Sequence, residues 1–428
     1  MNELVKDSAL GASPDVVSAM DRFLRRRLLD TLATLRDGPL TVRDPLGVEV
    51  LGLDHAGALS VEIVVHDMRF YRQLATHGSV GAAEAFIDGY WQCNDLVGLV
   101  RLLVRNRDLL DGMETGMARL GATALRAWHA LRENTRSGSR RNIAAHYDLG
   151  NAFFRLFLSD DLMYSSALWT DDGDTLETAS TRKLDVICRR LGLRPGLRVV
   201  EIGTGWGGFA VHAATHYGCH VTTTTISAEQ YKLACERVQA AGLGDRVTVR
   251  QDDYRDLKGT YDRVVSIEMI EAIGARYMET YFAKIGSLLS PDGMALVQAI
   301  TIEDHRYAQA VASVDFIKRH VFPGSFIPSI SAMLAAKTRS SDLALVQLED
   351  FGLSYARTLR EWRTRFLARL DEVRRQGFDE RFVRLWEFYL AYCEGGFLER
   401  SIGVSHLLLA RPEARPAAAR WGADTVSP

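Results

Sequence analysis

Cysteine is scarce and scattered in this chain. Cys93, Cys188, Cys219, Cys235 and Cys393 form no C-x-x-C pair, which argues against a zinc site and against a disulfide framework. No metal site is expected. No apolar run is long enough to span a bilayer: stretches such as 61–65 and 406–410 have the length of strands. The net charge is only −2, so no overall basic field points to a nucleic-acid partner. The opening Met1-Asn-Glu-Leu-Val-Lys6 lacks the basic start and long apolar stretch of a signal peptide. Internal repeats and low-complexity tracts are absent. The expectation is a cytoplasmic protein with reduced thiols.

What is present is ordinary in bulk and informative in order. A hydrophobic content of 47% and a charged content of 25% describe a globular protein, and 428 residues suffice for two cores. The composition shifts once. Arg126, Arg132, Arg136, Arg140 and Arg141 face only Glu133, around Ser137-Gly-Ser139. This basic stretch is either a solvated linker or a contact for anionic lipid head groups. It divides the chain into an N-terminal region (1–125), a linker (126–141), a larger domain (142–412) and a tail (413–428). In the N-terminal region, 17–35 carries Met20, Phe23, Leu24, Leu28 and Leu32 at helical spacing, with Arg25, Arg26 and Arg27 alongside. Such a basic amphipathic helix either packs on its own domain or lies on a membrane surface. Strand-like segments at 40–51 and 58–66 and a helical region at 80–104 follow.

After Pro195 strands and helices alternate. Strands are expected at 197–202, 220–226, 247–251, 261–267 and 294–301, with helices at 208–216, 228–241 and 276–289. Helices at 360–375 and 380–397 and a closing strand at 404–410 complete the pattern. The rhythm specifies an α/β, doubly wound, Rossmann-like domain preceded by a smaller mixed α+β domain. In such a sheet, ligands bind beyond the carboxyl ends of the strands. Gly203, Gly205 and Gly208 follow the first strand, where the chain turns sharply and a ligand approaches backbone without a Cβ in the way. Glu201 at the strand end can orient the turn or a ligand's amino group. A glycine turn alone does not separate a dehydrogenase from a methyltransferase. A dinucleotide site usually places a carboxylate at the end of the next strand. Here that strand runs into Thr222-Thr-Thr-Thr-Ile-Ser-Ala-Glu-Gln230, so hydroxyls and an amide stand in its place and S-adenosylmethionine is the better reading.

The motifs in order carry a resemblance. His146-Tyr-Asp-Leu-Gly-Asn-Ala-Phe-Phe-Arg-Leu-Phe-Leu158 and Met163-Tyr-Ser165 resemble the opening of the catalytic domain of cyclopropane fatty acid synthases. The similarity continues through Glu201-Ile-Gly-Thr-Gly-Trp-Gly-Gly208, Thr225-Ile-Ser-Ala-Glu-Gln230, Asp253-Tyr-Arg-Asp256 and Ser266-Ile-Glu-Met-Ile-Glu-Ala-Ile-Gly274. It ends with Tyr355-Ala-Arg-Thr-Leu359 and Phe388-Tyr-Leu-Ala-Tyr-Cys-Glu-Gly-Gly-Phe397. The segment Glu84-Ala-Phe-Ile-Asp-Gly-Tyr-Trp91 resembles the longer members, which carry an N-terminal lipid-associated domain.

This resemblance implies methyl transfer from S-adenosylmethionine to the alkene of an unsaturated acyl chain, usually on a phospholipid. Bicarbonate then removes a proton so that a cyclopropane ring closes. It places cofactor contacts at Tyr164, Ser165, Glu201, Gly203, Gly205, Trp206, Gly208, Thr225, Ile226, Ser227, Gln230, Asp253 and Tyr254. It makes Glu271 the acid that holds bicarbonate and Tyr355 a hydroxyl donor beside it, and sets Cys393 in the C-terminal cysteine motif. Aromatics suited to shielding a cation are Tyr164, Trp169, Phe153, Phe154 and Tyr392. A homodimer working peripherally at a membrane is implied as well. Two positions depart from the family pattern: Ser166 stands where a cysteine is common, and Gln298 where a histidine is common. Both can still hydrogen-bond, but an amide cannot become cationic. The fate of the carbocation therefore stays open between a ring and a methylene- or methyl-branched chain. Two readings from other classes stand beside these: a non-catalytic lipid-binding protein on the same scaffold, and a small-molecule methyltransferase.

Overall fold

The computed structural model describes residues 17–55, 57–108 and 149–415. The basic linker, His146, Tyr147 and Asp148, and most of the C-terminal tail lie outside the described residues.

Hydrophobic runs of Val and Ile explain the central sheet. Its strands are β5 (Arg198–Ile202), β6 (His220–Thr224), β7 (Val247–Arg250), β8 (Tyr261–Ile267) and β9 (Leu289–Ile302), with β10 (Ala344–Asp350) and β11 (Ile402–Ala410) completing it. The order is β10-β11-β9-β8-β5-β6-β7. Strands β5 to β9 are mutually parallel, and Val199, Val200, Val264, Val265, Leu296 and Val297 are fully buried, as expected for a sheet covered on both faces. The chain runs from β5 outward to β7, then returns to β8 on the other side. That reversal places the ligand crevice at the carboxyl ends of β5 and β8. The closing strand expected at 404–410 exists, but it lies antiparallel between β9 and β10, with His406 opposite Gln298.

The N-terminal region forms a second sheet, ordered β2-β1-β3-β4, from β1 (Leu40–Asp44), β2 (Gly47–Leu51), β3 (Val61–Val65) and β4 (Trp91–Cys93). The segment 40–51 is thus a hairpin rather than one strand. Helix α1 (Ala19–Leu32) buries Leu29 and Leu32, while Met20 and Phe23 remain 57% and 58% exposed. The helical region expected at 80–104 is interrupted: α2 (Arg69–Ile87) ends before β4, and α3 (Leu96–Arg105) follows it. Asp95 caps α3 by accepting from the Gly98 N–H.

Among the described residues the α-helices after α3 are α4 (Asn151–Phe154), α5 (Leu176–Arg190), α6 (Gly208–Tyr217), α7 (Ala228–Ala240), α8 (Met278–Leu288), α9 (Tyr307–Ala312), α10 (Ile330–Ser340), α11 (Gly352–Ala368), α12 (Leu370–Arg375) and α13 (Glu380–Leu398). One hydrophobic cluster joins the two sheets' territories, from Leu35, Phe70 and Trp91 to Phe153, Trp362 and Trp386. At its centre α3 packs on α13 so closely that a Cβ at Gly395 would meet the Val100 side chain at 2.6 Å. Arg384 on α13 donates to the carbonyls of Phe86 and Trp91, and Glu399 pairs with Arg101 and Arg105. The segment Glu84 to Trp91 is therefore locked onto the catalytic half. Glu84 reaches His320 at 3.0 Å, on the short π-helix Ile317–Val321. Among the described residues, no helix is long and apolar enough to cross a membrane, and no group of His, Cys, Asp or Glu could hold a metal.

Candidate active site

A cleft of about 400 Å³ opens where β5 and β8 end. Its floor is the glycine turn. Gly203 and Gly205 have φ of +101° and +51°, and a Cβ at Gly205 would meet nothing within 4 Å. The backbone there needs glycine, and the space above it is open to a ligand. Tyr164, Ser165, Glu201, Trp206, Thr225, Ile226, Gln230, Asp253 and Tyr254 line the same cleft. Thr225 donates to the Gln230 side chain at 2.8 Å, while Asp253 holds Arg255 in a double hydrogen bond. Two expected contacts lie elsewhere. Gly208 begins α6 outside the cleft lining, where a Cβ would strike Met163 Sδ at 2.7 Å and the Asp161 carbonyl at 2.8 Å. Close packing explains that glycine. Ser227 caps α7 by accepting from the Gln230 N–H.

These residues fit S-adenosylmethionine. Among the described residues the buried Tyr254 hydroxyl has no partner, an unsatisfied donor of the kind a bound ligand completes. Burial raises Glu201 to about 8, against a hydrogen bond from Thr223 and the charge of Lys183. An ammonium brought beside such a carboxyl draws it back to the ionised form. When bound, the donor supplies an electrophilic methyl group on a sulfonium sulfur.

Deeper in the cleft the departures from the family pattern acquire a physical meaning. Glu268, at the end of β8, lines the cleft and collects three donors. Its Oε1 accepts from the Ser166 backbone N–H at 2.9 Å and from Gln298 Nε2 at 2.7 Å. Its Oε2 accepts from the Tyr355 hydroxyl at 2.7 Å. Ser166 thus serves through its backbone, while its hydroxyl turns to the Ala167 carbonyl. Behind Gln298 stands His406, whose Nε2 lies 2.9 Å from Gln298 Oε1. An Arg190 N–H donates to His406 Nδ1 at 2.9 Å, so the imidazole proton must sit on Nε2 and point at the amide oxygen. The amide's orientation follows: oxygen to histidine, nitrogen to carboxylate. Burial and the Arg190 charge hold His406 neutral, well below its usual range. A histidine does reach this site, one strand away from where the family pattern puts it.

Glu271 sits one short turn further on. Its Oε1 accepts from the Ile300 N–H at 2.6 Å, and its buried Oε2 has no partner among the described residues. Burial, reinforced by the Glu268 charge, raises it to about 8, so at neutral pH it is a carboxylic acid. Burial also raises Glu268, but its three hydrogen bonds and the Lys183 charge oppose the rise. Lys183, inside α5 and fully buried, donates to Ser165 Oγ at 2.9 Å. Burial lowers it to about 8 against the carboxylates of Glu268, Asp161 and Glu201. The expected bicarbonate does not fit this arrangement. Its donors already hold Glu268, and a second anion would face that carboxylate in a poorly solvated place.

The upper walls are apolar and aromatic. Tyr164, Phe322, Tyr389, Tyr392 and Phe397 line them with Val100 and Val104 of α3. The Tyr164 and Tyr389 hydroxyls share a hydrogen bond of 2.9 Å. Cys393 also lines the cleft, its thiol pushed far up by burial and so inert. Of the aromatics expected to shield a cation, Tyr164 and Tyr392 do face the cleft. Phe153 and Phe154 are wholly buried in the core, and Trp169 lies under Arg357 at 4.1 Å, outside the lining.

Sequence reasoning missed Glu268, Lys183, Arg190, Tyr389 and His406. Glu268 had a readable signal, a second carboxylate three positions before Glu271 in the same motif. Lys183 and His406 had none, because both reach the site through tertiary packing.

A Rossmann-like sheet, a glycine turn at its switch point and a donor-shaped cleft continuous with an apolar chamber define an S-adenosylmethionine-dependent methyltransferase. The family profile described as mycolic acid cyclopropane synthetase matches residues 134–407. The chain is 38% identical to tuberculostearic acid methyltransferase UfaA1 of Mycobacterium tuberculosis, over 79% of this chain and 81% of that protein. It is 35% identical to the cyclopropane-fatty-acyl-phospholipid synthase of Escherichia coli K12, over 84% and 90%. The solved cyclopropane synthase MmaA2 of Mycobacterium tuberculosis superposes with a TM-score of 0.59 at 28% identity, over 63% of this chain and 98% of that one. The mycolic acid cyclopropane synthase CmaA1, solved with S-adenosylhomocysteine and CTAB, does so at 0.59 and 27%, over the same shares. This chain belongs to the cyclopropane fatty acid synthase family of lipid-modifying, S-adenosylmethionine-dependent methyltransferases.

Proposed function

We propose that the protein adds one carbon at the double bond of an unsaturated fatty acyl chain carried by a phospholipid, closing a cyclopropane ring. The observation that carries this reading is the continuity of the glycine-turn cleft with an apolar, aromatic chamber ending at a hydrogen-bonded carboxylate. Methyl transfer to an alkene needs alignment more than a protein nucleophile, and aromatic faces favour the cation that follows. Phospholipid as the carrier is supported by the N-terminal half. Helix α3 walls the chamber, while α1 and β2, linked by Arg25 and Glu49, expose Met20, Phe23, Val48 and Val50, with Leu46 exposed in the turn before β2. An apolar patch with arginines on its helix suits a peripheral membrane contact.

A second reading keeps the same methyl transfer but loses a different proton, leaving a methylene branch or a methyl-branched alkene. The protein-borne carboxylate at Glu268 and the likeness to a tuberculostearic acid methyltransferase favour it. Incubation with labelled S-adenosylmethionine and vesicles of unsaturated phosphatidylglycerol tests both. Acyl chains heavier by one methylene unit are expected, and NMR of those chains separates ring from branch. Label recovered only in free fatty acid, or in no lipid, overturns the phospholipid reading.

A further inference from the structure

We propose that the Glu268 carboxylate is this enzyme's own catalytic base, occupying the donor set that the family resemblance assigns to bicarbonate, so that turnover needs no bicarbonate. The inference rests on the reading of the cleft as an alkene-methylating site.

Three independent observations lead to it. First, three donors that could hold an oxyanion converge instead on Glu268: the Ser166 N–H, the Gln298 amide and the Tyr355 hydroxyl. Three charge-assisted hydrogen bonds favour its ionised form against the rise that burial imposes, and fix its place. Second, Glu268 has φ of +47°, a left-handed conformation that a long side chain rarely adopts and that strained functional positions favour. The backbone pays for that geometry in order to turn this carboxylate into the cleft. Third, Gln298 is itself set by His406 and Arg190. A histidine at 298 could flip its ring or gain a proton. The amide presents its N–H₂ to a carboxylate in one orientation only.

The chemistry balances without another reactant. The alkene's electron pair forms the new carbon–carbon bond to the methyl carbon, and the pair of the broken carbon–sulfur bond stays on sulfur. The adjacent alkene carbon becomes cationic, close to an anion it attracts. A C–H bond then gives up its proton to a Glu268 oxygen, and its electron pair closes the ring or forms a new double bond. Glu271, neutral and partly unpartnered, adds no second negative charge. Proton release to solvent resets Glu268 for the next turnover.

The test compares wild type with Glu268→Gln and Glu268→Gly. Glycine relaxes the left-handed backbone, and glutamine keeps the side-chain shape, so at least one variant folds. In buffer purged of carbon dioxide, wild type should turn over unsaturated phospholipid at the same rate with or without added bicarbonate. Glu268→Gln should lose roughly a hundredfold or more, the scale of a positioned base. Glu268→Gly should be inactive alone and regain turnover with bicarbonate or formate. A second readout needs no turnover: labelled bicarbonate should show NMR line broadening with Glu268→Gly plus S-adenosylhomocysteine, and none with wild type. Bicarbonate stimulating wild type several-fold, wild type binding it, or Glu268→Gln at full activity overturns the proposal. If wild type methylates no unsaturated lipid, the proposed function fails, and the NMR comparison alone decides the role of Glu268.

Discussion

Replacing Gln298 with leucine removes one hydrogen bond from Glu268 and one acceptor from His406 while keeping the strand's packing volume. The amide gives Glu268 Oε1 a 2.7 Å bond. A hydrogen bond to a charged group is worth about 1.5–3 kcal/mol. Losing that bond should therefore push the Glu268 carboxyl further up. The sign follows from which form is bonded. Gln298 donates to the ionised carboxylate, so its loss favours the protonated acid, and a base is useful only when ionised. The acid limb of kcat/KM against pH should therefore move to higher pH. The surroundings on every packed element remain as they are: Lys183 on α5, Tyr355 on α11, Glu201 in β5, Glu271 beyond β8, and His406 with Arg190 behind. His406 Nε2–H, buried and now unpaired, should cost about 1–3 kcal/mol of stability, seen as a lower melting temperature. Gln298→His, which retains a ring N–H, should recover part of the shift. A Gln298→Leu enzyme whose rate falls while its acid limb stays in place would refute the reasoning, because a structural role alone scales the rate without moving the profile.

Other consequences follow from single residues. Gly208→Ala would drive a Cβ into Met163 Sδ at 2.7 Å and the Asp161 carbonyl at 2.8 Å. It should lose about 1–3 kcal/mol of stability by overpacking, read as melting temperature, with weaker donor binding because Met163 lines the cleft. Gly205→Ala has open space but a φ of +51°. It should cost about 1–2 kcal/mol of backbone strain, and calorimetry should show roughly tenfold weaker binding of S-adenosylhomocysteine, equivalent to about 1.4 kcal/mol. Glu271 is raised from 4.5 to about 8 in the folded state. Folding therefore holds a proton that the unfolded chain releases, and this contribution is full below 4.5 and lost as pH rises towards 8. Glu271→Gln should flatten the fall in melting temperature across that window; an unchanged slope would show that Glu271 is ionised in the folded protein.

Much of the site was legible in the one-dimensional order of residues. The glycine turn, Thr225 with Gln230, and Glu271 sit at strand ends or turns that the hydrophobic rhythm places correctly, whereas Tyr355 lies in a helix that begins at Gly352, ahead of the 360–375 expected for it. The errors arose where burial overrides local pattern. The 80–104 region reads as one helix because Trp91-Gln-Cys93 is too short to show alternation, yet it pairs with β3. Phe153 and Phe154 look like cation shields beside the catalytic opening, but they pack among Trp386, Phe366 and Trp206.

The amino-acid sequence by itself determined the class: a doubly wound sheet with a methyl-donor turn, because periodicity and turn chemistry are local properties. Only the tertiary structure decided what stands at the catalytic point. Strand β11 inserts beside β9, which sets His406 opposite Gln298 across 108 residues of chain. Helix α11 brings the Tyr355 hydroxyl to the end of β8, and α5 buries Lys183 beneath it. Hydrogen bonds from these groups oppose the rise that burial gives Glu268, while burial and the Glu268 charge raise Glu271. Both effects depend on distances in space that spacing along the chain does not encode.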